Sequence, residues 1–346
     1  MQTQTSQNKS YFTHPPVTDL SIIVVSYNTR DLLRECLQSI YRQPNSRYQF
    51  EVMVVDNASS DGSAEMVKAE FGQVKLTANG ENVGFGAANN QALQQAQGHY
   101  ILLLNPDAAV IGPAIWQMLA FLEAQPGAAV VSPALQYPDG RFQEGAFRFP
   151  TLTQIFLDLF PLNWRLTRSR LNGRYPRRLY GGDYPRAFEI DFPLGACLMV
   201  RRTVLEQIGF LDENFFMYME EIDWCYRIKQ AQVARGYEEV GLRFRSGRKR
   251  PHYWQIFCLP AAKVFHHGGA STGQFRAESF YQLYRSRNYF YKKHYPYRFQ
   301  VAAQWLVRSG LTLKLSGAAF SRIVGRSNIA EFQAQWRVYQ RIWRLQ

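Results

Sequence analysis

Three groups of residues along the chain have the types and the spacing to do chemistry. The first is Asn105-Pro106-Asp107, which closes the apolar run Tyr100-Ile101-Leu102-Leu103-Leu104. Proline cannot donate to a sheet ladder, so the strand stops there and leaves an amide and a carboxylate at its carboxyl end. Open α/β sheets bind ligands at such ends, and hard oxygen donors suit Mg²⁺ or Mn²⁺ held together with substrate phosphates. A plain strand end with Asp107 as a helix cap fits the same residues. The second group is Glu220-Glu221-Ile222-Asp223, with three carboxylates at a helix start. They complement the helix dipole, or crowding raises one of them towards neutrality as a general base. The third is His266-His267 beside Gly268-Gly269. Adjacent strand residues point to opposite faces, so at most one of the two histidines ligates a metal.

These groups must be positioned by the elements around them. Leu20–Val25 reads as a buried strand ending at Ser26-Tyr27-Asn28. A helix follows, with Thr29 or Asp31 near its cap and Leu32, Leu33, Cys36, Leu37 and Ile40 on one face. Val52–Val55 is a second strand, ending at Asp56-Asn57, and a helix through Met66, Val67 and Phe71 comes next. A short strand over 74–77 leads to Asn82-Val83-Gly84-Phe85-Gly86. A helix over 87–97 is stopped by Gly98, and Pro113 opens the helix after the 100–104 strand. Strand and helix alternate for about 130 residues, the pattern of a doubly wound, mostly parallel sheet. Tyr137-Pro138-Asp139-Gly140-Arg141 marks a turn between short strands. Leu152–Phe160 reads as a helix, Asp191–Val200 as one buried strand, and Gly209–Met219 as an aromatic loop.

Composition and missing motifs narrow the function. The first strand-to-helix turn, Ser26-Tyr27-Asn28-Thr29-Arg30, holds no glycine, so a dinucleotide fingerprint is absent, and no GxxxxGK[ST] occurs. Polar strand ends remain at Asn28, Asp56 and Asp107, able to hydrogen-bond a base and ribose and to hold a metal. A net charge of +13 calls for a polyanionic partner: nucleic acid, a phosphate-bearing substrate or an acidic membrane surface. Cys36, Cys197, Cys225 and Cys258 form no CxxC and fit free thiols in a cytosolic protein. The polar first residues show no signal peptide, and no apolar run reaches the about 18 residues of a membrane span.

The ordered series of motifs resembles the inverting family 2 glycosyltransferases of GT-A fold, in particular bacterial rhamnosyltransferase-like members, over about residues 20–295. It comprises Ser-Tyr-Asn (26–28), Val-Val-Asp-Asn-Ala-Ser-Ser-Asp-Gly-Ser (54–63), Asn-Val-Gly-Phe-Gly-Ala-Ala-Asn-Asn (82–90) and Leu-Asn-Pro-Asp (104–107). Gly-Ala-Cys-Leu-Met-Val-Arg-Arg (195–202), Glu-Glu-Ile-Asp-Trp-Cys-Tyr-Arg (220–227) and His-His-Gly-Gly-Ala-Ser (266–271) complete it.

The resemblance implies a metal at Asp107, completed by His266, with Asn105 standing where the family carries its first acidic residue. It implies a nucleotide-sugar site at Ser26, Tyr27, Asn28, Asp56, Asn82, Gly84, Asn105, Gly195 and Ala196, with Arg285 and Arg287 on the diphosphate. It implies Glu221 as catalytic base in place of the family's aspartate, with Asp223 beside it in the catalytic group and, with Arg227, holding the site. The expected reaction moves a sugar, rhamnose from dTDP-rhamnose as first candidate, to a glycan or lipid-linked acceptor with Mg²⁺ or Mn²⁺.

The expected organisation is a disordered tail over 1–18 and a GT-A domain over 19–295. That domain divides into a nucleotide-binding half (19–130) and an acceptor half (131–295), with an Arg-rich insertion near 234–251. A helical extension over 296–346 interleaves Trp305, Leu306, Leu311 and Leu313 with Arg308, Lys314, Arg322 and Arg326. Such helices suit an anionic membrane interface, which predicts a cytoplasmic protein peripheral to the inner face of the plasma membrane; packing on the catalytic domain suits them equally. Two rival readings are an inactive nucleotide-sugar binder and a basic nucleic-acid-binding protein. The second lacks a recognisable binding module, so no nucleic acid is expected.

Overall fold

The computed structural model describes residues 11–44, 47–160, 163–167, 169–181, 186–233, 253–269, 276–323 and 329–345. The first part runs β1 (Thr18–Ser26), α1 (Arg30–Tyr41), β2 (Phe50–Asp56), α2 (Ser63–Glu70), β3 (Lys75–Ala78), α3 (Phe85–Gln95), β4 (Gly98–Leu104), β5 (Ala108–Ile111), α4 (Ala114–Ala124) and β6 (Ala128–Gln136). The second runs β7 (Phe142–Gln143), β8 (Ala146–Phe147), α5 (Leu152–Leu159), α6 (Trp164–Thr167), β9 (Phe188–Ile190), β10 (Phe192–Pro193), β11 (Cys197–Arg201), α7 (Arg202–Ile208), α8 (Glu220–Gln230) and β12 (Gln255–His266). Three long helices follow: α9 (Arg276–His294), α10 (Tyr297–Ile323) and α11 (Ile329–Trp343).

The main sheet is ordered β3-β2-β1-β4-β11-β6-β12-β5. Strands β3, β2, β1, β4, β6 and β12 run one way, while β11 and β5 run against them. The unbroken apolar run in β1 is explained by its two covered faces. Leu20, Ile22 and Val24 pack under α1, α2 and α4, and Ile23 and Val25 pack under α3, α7 and α8. β4 repeats the arrangement, with Leu102 and Leu104 on one face and Ile101 and Leu103 on the other. A third apolar cluster joins α5, α9, α10 and α11 to Phe215 and Met219 of the loop before α8. All four cysteines are buried as free thiols.

Several expectations need correction. The tail does not stay loose up to residue 18. Phe12 is buried, the Arg202 guanidinium sits 3.7 Å from its ring centroid, and the Thr13 and Val17 N–H groups donate to Gln94 and Gln97 carbonyls. Gly98 does not stop α3; it opens β4, where a Cβ would stand 2.4 Å from the Ser21 nitrogen, so only glycine allows β4 this close to β1. The 191–200 stretch is not one strand. Phe192–Pro193 pairs with β8 in a separate two-stranded sheet, and Cys197–Arg201 enters the main sheet, with Leu194-Gly195-Ala196 turning between them. Pro113 stands at the N-cap of α4, one residue before the first turn. The helix expected at 152–160 is present as Leu152–Leu159, opened by a Thr151–Gln154 capping box. The Arg-rich insertion lies outside the described residues.

Candidate active site

β4 stops at Leu104, and the Asn105 N–H donates to the Ala196 carbonyl at 2.9 Å, fastening the strand end to the turn before β11. The chain reverses through Asn105–Ala108 and re-enters the sheet as β5, paired with β12 so that His266 stands opposite Ala108. This register brings the buried Asp107 carboxylate to 3.4 Å from His266 Nε2. Its other oxygen accepts from the Gly268 N–H at 3.1 Å, and its carbonyl accepts from the His267 N–H. His266 Nδ1 faces Gln143 Oε1 at 3.1 Å, a contact that orients the ring with Nε2 towards Asp107. His267 is exposed. A carboxylate and an oriented imidazole fit a divalent ion whose remaining positions go to phosphate and water. Among the described residues no group of three or more His, Cys, Asp or Glu side chains offers a fuller cage.

At the second corner, the ends of β1 and β2 are held by short side chains. Asn28 is in the left-handed region (φ 50°); its N–H donates to Ser59 Oγ at 2.9 Å and its Oδ1 accepts from the Ser60 N–H at 2.8 Å. Ser26 is fully buried and shares a hydrogen bond with Thr29, so it shapes the turn, while Tyr27 is half-buried at its surface. Asp56 accepts from the Ser59 N–H through Oδ2, and its buried Oδ1 has no protein partner. A buried acceptor left open at a strand end is a ready partner for a base N–H.

Asn57, which motif reading passed over, is the hub of this half. It donates to Asn82 Oδ1 at 2.8 Å and accepts from Asn79 Nδ2 and the Val83 N–H, each at 3.1 Å. Asn82 Oδ1 also accepts from the Gly84 N–H at 3.0 Å, so Asn82 builds the loop with its oxygen. Gly84 (φ +88°) lies so close to Phe216 that a Cβ would stand 2.6 Å from the Phe216 oxygen, and the Phe85 N–H donates to that oxygen.

The third corner is the start of α8. Tyr218 and Met219 both take left-handed φ (69° and 74°), a backbone non-glycine residues avoid, and swing Glu220 and Glu221 inward. The Glu220 carboxylate is buried with Oε1 unpartnered; burial and the neighbouring Glu221 push its pKa well above the usual range. Glu221 lies on Gly195, its carboxyl carbon 3.4 Å from where a Cβ would stand. Burial, only partly offset by the N–H groups of Glu221, Ile222 and Gly195, pushes its carboxyl up to about 7. Gly195-Ala196 therefore links two corners of the site, carrying Glu221 on one residue and the Asn105 N–H on the next.

Asp223 does not join this group. Two residues along a helix is more than half a turn, and its fully buried carboxylate points to the opposite side. It accepts from Arg227 (2.8 Å), Lys293 (2.7 Å) and His294 (2.6 Å), leaving it a structural anchor. Burial pushes its pKa up, but His294, Arg227 and Lys293 outweigh that and hold it below the usual carboxylate range. Arg287 is likewise diverted: it faces Asp158 on α5 at 3.4 Å and lies over the Tyr284 ring. Arg285 is exposed on α9 beside Gln282. Neither converges on the Asp107–His266 corner.

Instead α9 braces the turn before α8. The Ser286 hydroxyl donates to the Met217 carbonyl at 2.8 Å, Tyr289 and Lys293 donate to Asp212, and Lys293 and His294 donate to Asp223. Burial raises the Asp212 carboxyl, yet Lys293 and Asn214 outweigh it and hold it at about 2. Ser286, Tyr289, Lys293 and His294 were invisible to local reading, because they gain meaning only when α9 packs on α8.

The profile of the family described as glycosyl transferase family 2 matches residues 21–209, more than half of the chain. The chain belongs to glycosyl transferase family 2. This family 2 chain is 24% identical over 311 residues to the N-acetylglucosaminyl-diphospho-decaprenol L-rhamnosyltransferase of Mycobacterium tuberculosis, spanning 85% of this chain and 91% of that one. It is 27% identical over 230 residues to the low-salt glycan biosynthesis hexosyltransferase Agl10 of Haloferax volcanii, covering 64% of this chain and 65% of that one. In fold it is similar to the mannosyltransferase PcManGT from Pyrobaculum calidifontis in complex with GDP-Man and Mn²⁺. The TM-score is 0.52 at 15% identity, over 97% of this chain and 90% of that one. It is also similar to GalNAc-T7 with UDP, GalNAc and Mn²⁺, with a TM-score of 0.51 at 15% identity over 80% of this chain and 50% of that one. The architecture is GT-A-like, as the motifs led one to expect.

Proposed function

We propose that this glycosyltransferase moves a sugar from a nucleotide-diphosphate donor to a hydroxyl of a lipid-linked glycan precursor, with inversion at the anomeric carbon. The observation that carries the reading is Glu221: a carboxylate raised to about 7 by burial, lying on the Gly195-Ala196 turn that also fastens Asn105. A base of that strength is half-deprotonated near neutral pH and still able to take a proton. Asp56 Oδ1 receives an N–H of the nucleobase. Glu221 takes the proton of the acceptor hydroxyl as its oxygen bonds to the anomeric carbon; the bond from that carbon to the diphosphate oxygen breaks, and the electron pair leaves with the nucleoside diphosphate. Asp107 and His266 would hold Mg²⁺ or Mn²⁺, which when bound supplies positive charge for the departing diphosphate.

Rhamnose from dTDP-rhamnose is the first donor to try, because the Mycobacterium relative is a rhamnosyltransferase, and its decaprenol-linked substrate supports a lipid-linked acceptor here. Work on such an acceptor puts the protein at the inner face of the plasma membrane, as a peripheral protein. Among the described residues no helix is long and apolar enough to cross a membrane.

The test is calorimetry of donor binding with dTDP-rhamnose, UDP-sugars and GDP-sugars, with and without Mn²⁺, and Asp107→Ala as control. Metal-dependent binding of one nucleotide class, lost in the variant, is the expected result. Binding of none of them would sink the donor assignment. The anomeric configuration of the product, read by NMR, tests inversion.

A further inference from the structure

Helix α10 presents a face that the other described residues do not cover. Trp305, Ser309, Thr312, Leu313 and Ser316 recur at intervals of three and four, on one side of the helix. Trp305 is 67% exposed and Leu313 59%, although the same helix buries Ala303 and Leu311 in the third apolar cluster. Trp343 of α11 (45% exposed) and Phe160 after α5 complete an open groove of about 550 Å³ with Arg308 between them. Phe160 stacks on the exposed Phe156 with ring centroids 5.0 Å apart, so the apolar area continues past the groove. The Arg308 guanidinium lies 5.8 Å from the Trp343 ring, and Arg344, next to Trp343 on α11, is exposed.

Charge says what covers this face. Residues 297–346 hold eight Lys and Arg against a single acidic residue, Glu331, which makes seven of the chain's surplus of +13. Helix α10 has no acidic residue at all. A second copy of the chain would bring the same positive field against itself. An anionic bilayer offers what the face lacks: negative headgroups for the cations, and an interfacial layer where indole rings settle with their N–H groups wet.

We infer that the face formed by Phe156, Phe160, Trp305, Leu313 and Trp343, rimmed by Arg308 and Arg344, docks on an anionic lipid surface. It lays α10 and α11 along the bilayer without crossing it. The inference rests on the lipid-linked acceptor reading only for its purpose; the contact itself rests on the exposed face and its charge.

Co-sedimentation of the full chain with vesicles of phosphatidylcholine, with and without phosphatidylglycerol, tests it. The expected result is binding to the anionic vesicles, weakened by added salt, with a blue shift of tryptophan fluorescence. W305S/W343S should bind on the order of tenfold more weakly. Arg308→Gln should cost about fivefold. Both variants should bind the nucleotide donor as the parent does, so failure of the membrane face and failure of the transferase reading are read separately. Parent-like vesicle binding by W305S/W343S would overturn the assignment of this face. So would absent vesicle binding accompanied by tight binding to transfer RNA, or a concentration-dependent dimer that the double variant abolishes.

Discussion

The proposed donor half of the site, around Asp56, and the proposed base half, around Glu221, are built in opposite ways. Around Asp56 the loops hold one another: Asn28 with Ser59 and Ser60, Asn57 with Asn79, Asn82 and Val83, all among residues 26–84 at the ends of adjacent parallel strands. Around Glu221 the chain adopts two consecutive left-handed residues that nothing local favours, and the bracing comes from Ser286, Tyr289, Lys293 and His294, some seventy residues further on. Strain of this kind, of order 1–3 kcal/mol per residue, persists only where the surroundings over-determine it. The proposed donor side is preformed by its own sequence; the proposed base is aimed by a helix beyond the family-matched segment.

The comparison can be broken from either side. The largest effect is expected from Glu221→Gln, which should lower turnover on the order of 10²–10⁴-fold while donor binding by calorimetry stays unchanged. In the parent enzyme, turnover should climb as pH rises towards the value of about 7 at which burial holds Glu221, then level off; a flat profile across that range would exclude it as the base.

Asp223→Ala comes next. It strands Arg227, Lys293 and His294 without their buried partner, at about 3–5 kcal/mol by chemical denaturation. The folded fraction should lose turnover more than donor affinity, and equal losses would mean that α9 does not aim the base selectively.

Asn57→Ala should do the reverse. Leaving Asn79, Asn82 and the Val83 N–H short of a partner costs about 1–3 kcal/mol. It should weaken donor binding, with turnover at saturating donor little changed.

The smallest effect sharpens the electrostatics of the base half. Burial raises the Glu220 carboxyl, so the folded state holds its proton more tightly than the unfolded chain. The stability that this gives is present at low pH and lost as pH rises through the folded value. Glu220→Gln should therefore melt above the parent at about pH 8 and match it at about pH 4, and a gap that shrinks with rising pH would refute the burial argument.

Much of this was legible in the residues. Apolar runs without alternation gave strands covered on both faces, and the polar ends at Asn28, Asp56 and Asp107 fell where such sheets bind ligands. Asp223 and Arg287 misled because a carboxylate two places from Glu221 and an arginine that the resemblance placed on the diphosphate carry no mark of the direction they face. Asn57 was hidden in plain view, next to Asp56. The 191–200 stretch looked like one strand because its break at Leu194-Gly195-Ala196 is set by pairing with β8 and β4, which periodicity cannot express.

By itself, the sequence determined the alternation of strand and helix in the first part of the chain, the polar strand ends and the surplus positive charge, because each follows from local periodicity, turn chemistry and composition. The tertiary structure decided which carboxylate became the base candidate. Helix geometry turns Glu221 onto Gly195 and Asp223 into the grip of α9, and packing between elements far apart in the chain supplies both the burial that raises Glu221 and the His294 and Lys293 partners that, with Arg227, hold Asp223 down.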